Sequence, residues 1–455
     1  YLTDPGKYPV LSKVKPGEIK GLLPEDPPED GEDFRKILDD FNEKIMPGVT
    51  HWNHPNFYAY FAITGTKPGI LGEILSQTLN INGMLWKTCP SSTELEEVVV
   101  NWAKKLMNIP EEFFGLIVDT ASVSTLNAIV AARENCRDLN VRVKGFSSID
   151  NTRLRLYCSD QTHSSIDKAA IISGIGLENV CKIETEDNFR MIPEKFEERI
   201  KTDIGSGYRP FAAVATIGTT STTGVDPVPE IGKICRKYDI WLHVDGAYAG
   251  TASIIPEFKY LMDGFENVDS YVFNPHKWLG VPFDASLLYV RNEDILKKAF
   301  SIIPEYLTTA ESGTVTDYMN YGPQLGRRFR AIKLWFVLRY FGKNGIISRL
   351  RGHIRFAQLF KSKVEHSVDF EIMAPVPFSV ICFRLNPSGK NLNEEEIEKI
   401  NTKLMNEVNK TGKIYISHSK LKGKYTLRFA IGNFKTTEND VISAWDLIEK
   451  TAMEL

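Results

Sequence analysis

Nowhere in these 455 residues does an apolar run approach the roughly 18 that a membrane-spanning helix requires, so such a helix is excluded. An excess of one charge is lacking too. Against 58 acidic side chains stand 55 basic ones, a formal net charge of −3 that draws in neither nucleic acid nor an anionic membrane. Cysteine is sparse: six residues, at 89, 136, 158, 181, 235 and 382, with no CxxC pair. That spacing gives neither a disulfide framework nor a zinc ribbon, and reads as the reduced, mostly buried thiols of a cytoplasmic protein. No internal repeat, low-complexity tract or HExxH pattern occurs. The sequence starts at Tyr1 rather than Met and without a signal-peptide pattern, so its natural start is expected upstream.

What is present is an ordinary globular composition, 42% hydrophobic and 25% charged, in a chain long enough for two or three structural units. Residues 1 to about 30 are rich in Pro, Gly and acid and form an extended arm. Phe34, Ile37, Leu38, Phe41 and Ile45 then recur at helical spacing up to Met46-Pro47-Gly48. A second helix is predicted from Glu94 to Met107, with Leu95, Val98, Val99, Trp102 and Leu106 on one face. Short apolar strands at Gly115–Val118, Leu154–Tyr157, Phe211–Ile217, Ile240–Val244, Ser270–Phe273 and Ala285–Val290 alternate with helical stretches. That alternation argues a mostly parallel sheet covered by helices on both faces. From about 346 onward the pattern changes to a separate α+β unit: a helix through His366, a strand Ser379–Leu385, a helix Glu394–Asn409, strands near 413–417 and 425–430, and a closing helix.

The chemistry concentrates between Trp241 and Phe283. The strand Ile240–Val244 delivers Asp245 to its carboxyl end, and Ser270–Phe273 delivers Asn274, His276 and Lys277 to the turn that follows. Open α/β sheets bind ligands at that edge. A carboxylate and an amine offered by neighbouring strand ends suit pyridoxal phosphate, whose aldehyde condenses with a lysine and whose ring nitrogen is held protonated by an acid. Taken singly, a strand-end Asp usually caps a turn and a Lys after His is usually a solvated surface residue. The joint occurrence carries the reading.

His243-Val244-Asp245-Gly246-Ala247-Tyr248-Ala249-Gly250 and Asn274-Pro275-His276-Lys277-Trp278, with the spacing between them, resemble the pyridoxal-phosphate-dependent aromatic L-amino-acid decarboxylases, the group II decarboxylase family. The likeness runs from Tyr8-Pro9-Val10 to Arg428-Phe429-Ala430. It implies an aminotransferase-like fold (PLP fold type I): a seven-stranded sheet in a large cofactor-binding domain at 61–345, a small C-terminal domain at 346–455, and residues 1–60 packing on the second subunit of a homodimer whose active site lies at the subunit interface. It also implies that Lys277 bonds the cofactor, that Asp245 faces the ring nitrogen, and that His163, in Ser159-Asp160-Gln161-Thr162-His163-Ser164-Ser165, lies flat on the ring and assists proton movement. Thr120, Ala121 and Ser122 fall on the phosphate-binding turn, where a helix start offers free N–H groups, although Ser/Thr before a helix is usually only an N-cap. Thr220, Ala247, Asn274 and His276 complete the cofactor contacts by the same resemblance.

For the substrate, the resemblance makes Trp52, Tyr60, Phe61, Met84 and Phe283 pocket walls; without it, the aromatic segment 51–61 is core packing. A zinc site at His51 and His54 lacks a third ligand. Residues 303–314 are polar and aperiodic, a lid by position, and the family's catalytic tyrosine falls on Tyr306. Ala62-Ile63 and the segment 82–86 depart from the animal and plant enzymes and look microbial, and members of the family usually carry one more helix before the arm. A small residue at Gly326 goes with indole substrates in plant members, which leans the substrate toward tryptophan over phenylalanine, tyrosine or 3,4-dihydroxyphenylalanine. The expected activity is decarboxylation to an arylalkylamine and CO2. An aromatic aldehyde synthase of the same family is the alternative, disfavoured because its plant members carry Phe where Tyr306 stands. A noncatalytic dimeric homologue is the third reading, and intact Asp245, Lys277, His163 and Tyr306 argue against it.

Overall fold

The computed structural model describes residues 1–146, 153–311 and 313–455, and divides into two compact units. Ser312, within the expected lid, lies outside the described residues.

The larger unit, residues 63–354 with 374–378, holds a seven-stranded sheet. Its strands are β1 (Phe114–Val118), β2 (Arg153–Ser159), β3 (Val180–Ile183), β4 (Tyr208–Thr216), β5 (Trp241–Asp245), β6 (Ser270–Phe273) and β7 (Ser286–Val290), in the order β1-β7-β6-β5-β4-β2-β3. β3, β2, β4, β5 and β6 run parallel, and β7 is antiparallel to both β6 and β1. β1 therefore points the same way as the parallel five. β5, β6 and β7 are buried along their whole length, which is why they read as continuous apolar runs rather than alternating ones. Parallel neighbours need crossovers, and Ser165–Ile172, Pro193–Gly205 and Val228–Lys237 supply three as helices. The link from β5 to β6 is built instead from 3₁₀ turns between Ala249 and Asn267. The helix Ala121–Asn135 packs across β4, β5, β6 and β7.

The carboxyl ends of β1, β2, β4, β5 and β6 thus share one rim. This is the expected fold, with β3 and the helices at 165–172 and 193–205 added to what periodicity showed. The helix of Arg330–His366 is broken at Gly342, whose φ of 60° and ψ of 174° a residue with a side chain rarely adopts.

The helix Pro90–Met107 corrects one expectation. It buries Ser92, Glu96, Val99, Val100, Ala103 and Met107, while Val98 and Trp102 stay 41% and 38% exposed. Small residues and a paired acid form its inner face because the sheet edge approaches closely there: a Cβ on Gly115 would come within 2.4 Å of Val100.

The smaller unit comprises Tyr1–Ala62, Arg355–Met373 and Ser379–Leu455. It carries an antiparallel sheet β10-β11-β9-β8, from β8 (Phe370–Ile372), β9 (Val380–Leu385), β10 (Ser417–Leu421) and β11 (Lys424–Ala430). Phe360 stacks on Phe429 at 4.1 Å and meets Phe383 and Trp445 edge-on, giving this sheet its core. The N-terminal segment is hydrogen-bonded into the same unit, Val10 to Gly412 and Tyr58 to both Tyr415 and Ala430.

Candidate active site

Two backbone exchanges hold the ends of β5 and β6 together: Gly246 N–H donates to Val272 C=O at 2.9 Å and Asn274 N–H to Ala247 C=O at 3.1 Å. Asp245 is buried, and its Oδ1 accepts the Ala247 N–H at 2.9 Å. Gly250 is required in this turn, because a Cβ there would stand 2.1 Å from the Tyr271 hydroxyl of β6. Lys277 follows β6 half-buried, its N–H bonded to Asn274 C=O at 2.9 Å. The carboxylate and the amine therefore leave adjacent parallel strands at one rim.

His163, in the loop after β2, belongs to the same group of charges. Protein surrounding the imidazole lowers its pKa, the Asp245 carboxylate opposes that shift, and the Lys277 ammonium adds to it. Its Nδ1 accepts the Ser165 N–H at 3.1 Å and lies 2.9 Å from Ser165 Oγ. A ring nitrogen that accepts a backbone N–H carries no proton, so the proton of the neutral ring sits on Nε2. His276 is fixed likewise: Nδ1 accepts the Ala285 N–H at 2.9 Å, and burial with the neighbouring Lys277 charge brings its pKa down to about 3.

After β1, Thr120 turns its hydroxyl to Asp119 at 3.0 Å and does not cap the helix Ala121–Asn135, so the first N–H groups at Ala121 and Ser122 are left for another acceptor. Such a helix start favours a phosphate. Two buried oxygens on the same rim have no hydrogen-bond partner among the described residues: Asn274 Oδ1 and Thr216 Oγ1. Thr216 pairs in register with Asp245 and so projects from the same face. An uncapped helix start, unsatisfied rim oxygens, a buried acid and a lysine fit pyridoxal phosphate. Thr216 escaped the sequence reading because only strand register reveals it.

The other expected residues are placed as follows. Thr220 is exposed in a loop closed by Thr219 and Thr222, whose hydroxyls lie 2.9 Å apart. Phe283 is 56% exposed with its ring 4.9 Å from His276. Met84 and Gly326 meet through Asn82, whose Nδ2 donates to Met84 Sδ at 3.5 Å and would lie 3.7 Å from a Cβ on Gly326. Tyr306 stands 78% exposed on the turn Glu305–Leu307. In the smaller unit, Trp52 stacks on Phe57 at 4.4 Å and on Tyr60 at 5.7 Å, and Phe61 lies under the Arg428 guanidinium at 4.7 Å. His51 stacks on Tyr8, and His54 Nδ1 accepts the Asn56 N–H at 3.0 Å.

Arg327, Arg328 and Arg330 each face a carboxylate, Glu96, Glu73 and Asp284. The Glu96–Arg327 pair is buried at 2.7 Å, and Glu96 also accepts the Ile117 N–H of β1 at 2.8 Å. The partners stand 231 positions apart, so no local signal could have joined them.

A sheet of this order with a lysine and an acid at its rim is the arrangement of a pyridoxal-phosphate enzyme of fold type I. The sequence profile of the pyridoxal-dependent decarboxylase conserved domain matches residues 16–386, and the chain belongs to that family. It is 44% identical to tyrosine decarboxylase 4 of Petroselinum crispum, covering 98% of this chain and 89% of that protein. It is 42% identical to phenylacetaldehyde synthase of Arabidopsis thaliana, covering 98% and 92%. The crystal structure of Oryza sativa TDC with PLP and tryptamine superposes with a TM-score of 0.95 at 35% identity, covering 100% of this chain and 95% of that one. These relatives are plant enzymes, so the microbial look given to Ala62-Ile63 and residues 82–86 is not borne out.

Proposed function

We propose that the chain decarboxylates an aromatic L-amino acid to the arylalkylamine and CO2. The observation that carries this is the shared rim of Asp245, Lys277 and His163, in a chain whose relatives act on aromatic amino acids by name. Pyridoxal phosphate, when bound, supplies an aldehyde that bonds amines and a ring that withdraws electrons from the carbon bearing the carboxylate. Lys277 is the amine that would anchor it. Asp245, buried and held by the Ala247 N–H, keeps a proton on the ring nitrogen. The helix start at Ala121 and Ser122 fixes the phosphate. His163, neutral with its proton on Nε2, would lie against the ring and is placed to move a proton. Tyr306 donates a proton to the carbon that has lost CO2. Met84 and Phe283 are proposed to face the substrate ring, with the small residue at Gly326 supporting an indole.

An aldehyde synthase is the second reading, favoured by the phenylacetaldehyde synthase relative and opposed by Tyr306. Assaying CO2, amine, aldehyde, peroxide and ammonia from tryptophan, phenylalanine, tyrosine, 3,4-dihydroxyphenylalanine, histidine and glutamate separates the two. Equal CO2 and amine from an aromatic substrate is expected, and peroxide with ammonia would establish the synthase. Tyr306→Phe is expected to divert turnover toward aldehyde and peroxide; amine at the parental rate would remove Tyr306 from the proposal.

We also propose a homodimer. Apolar side chains stand exposed on helical faces: Phe34, Ile37 and Leu38; Leu71, Ile74, Leu75 and Leu79; Val98 and Trp102. The six unbridged cysteines support a reducing compartment, the cytoplasm.

A further inference from the structure

The loop that carries Tyr306 is not held where that residue is. Ile302, Ile303 and Tyr306 are 77%, 54% and 78% exposed, yet the next residue, Leu307, is only 5% exposed. It packs into a small cluster with Leu85 and Met319, with Met84 against it. The same strip of chain grips the loop a second time, four residues on: Lys87 Nζ lies 2.8 Å from Glu311 Oε1, and this hydrogen bond holds the Glu311 carboxyl below the ordinary carboxylate range. The strip itself is fixed to the far end of the loop, where Trp86 N–H donates to Asp317 Oδ1 at 2.9 Å and Met319 N–H to Met84 C=O at 3.1 Å. Asn82 ties it to the segment beyond, accepting the Arg327 N–H at 2.9 Å. The bed is thus hydrogen-bonded at both ends, and the loop meets it through the Leu307 side chain and the Lys87–Glu311 pair.

We propose that Leu307 and the Lys87–Glu311 pair are positioning residues: they dock the 302–311 segment on residues 84–87 and so set how often Tyr306 is presented for proton donation. The inference rests on the proposed role of Tyr306, but docking itself does not. An apolar contact and a solvent-facing ion pair respond differently to conditions. The ion pair weakens with salt, since Lys87 is 59% and Glu311 27% exposed, and the Leu307 contact does not.

The test uses the holoenzyme and six variants: Leu307→Ala, Lys87→Glu, Glu311→Lys, the double exchanges Lys87→Glu/Glu311→Lys and Lys87→Gln/Glu311→Gln, and Tyr306→Phe. Hydrogen–deuterium exchange of the 302–311 amides reads docking, and kcat and KM for amine formation read positioning. Leu307→Ala is expected to speed exchange and lower kcat on the order of tenfold, with KM and the cofactor's visible spectrum held. Each single charge reversal should lower kcat about two- to fivefold, and the double exchange should restore both exchange rate and kcat. Raising the salt should lower the parent's kcat and leave the Lys87→Gln/Glu311→Gln variant unchanged. Unaltered exchange in every single variant overturns docking. Faster exchange with parental kcat overturns the positioning role. In that event Tyr306→Phe locates the fault: if it loses amine formation, the clasp is wrong, and if it keeps it, the reading of Tyr306 is wrong.

Discussion

At the scale of single residues, neutrality of buried imidazoles matters as much as the two charges of the site. Truncating Lys277 removes the amine proposed to anchor the cofactor on the rim, so Lys277→Ala is expected to abolish CO2 release while leaving Tm within a few degrees. Borohydride treatment of the parent should tag the peptide containing position 277, and a tag elsewhere would refute the assignment. His243 lies two residues before Asp245 on β5, fully buried, with Nδ1 2.9 Å from Ser270 Oγ and Nε2 without a partner among the described residues. Burial lowers its pKa from 6.5 to about 4. The unfolded chain therefore binds a proton that the folded chain refuses between these values. Its contribution, on the order of 3 kcal/mol, is present above pH 6.5 and is lost as pH falls toward 4. His276, brought down to about 3, acts in the same direction. Asp226 opposes them: burial raises its pKa to about 6, so it stabilises at low pH and loses that contribution as pH rises through 6. Two histidines against one acid predict a Tm that falls between pH 6.5 and 4.5, and a shallower fall in His243→Asn.

At the scale of elements, long-range pairs fix what strands and helices leave free. The Glu96 carboxylate joins the helix Pro90–Met107 to the Ile117 N–H of β1 and to Arg327, one residue after Gly326. Glu96→Gln leaves a buried guanidinium without its counter-charge, and a loss of about 3 kcal/mol is expected, read as a lower Tm of the holoenzyme. A Tm equal to the parent's would show that the pair contributes nothing. The sequence made this helix legible but not its orientation. Apolar spacing picked out Leu95, Val98, Val99, Trp102 and Leu106, of which Val99 alone is buried, and the chain turns Ser92, Glu96 and Ala103 inward beside it, because close packing against the sheet rewards small volume and a paired acid over bulk. Strand ends fared better. Asp245 and Lys277 were placed by local runs of branched and aromatic residues: Asp245 closes β5 one residue past the expected end, and Lys277 follows Phe273, where β6 ends as expected, by four residues.

At the scale of the whole molecule, the face that spacing marked as apolar and the fold left exposed acquires a meaning. Val98 and Trp102, with Leu71, Ile74, Leu75 and Leu79 on the helix Lys67–Leu79, form surface that water disfavours and that a second copy of the chain is proposed to cover. Val98→Glu/Trp102→Glu is expected to shift light scattering from dimer toward monomer mass, and a variant that stays dimeric would place the interface elsewhere.

The sequence by itself determined a mostly parallel sheet and the acid and lysine at its rim, because strand period and the right-handed crossover are local rules that reduce the possible arrangements to a few; the order of the strands came from the structure. Only the tertiary structure decided that Thr216 stands beside Asp245, that Arg327 reaches Glu96, and that Leu307 rather than Tyr306 holds the loop. Those facts depend on register and on contacts between segments far apart in the chain, where burial of one side chain is set by the shape of another that no neighbouring residue encodes.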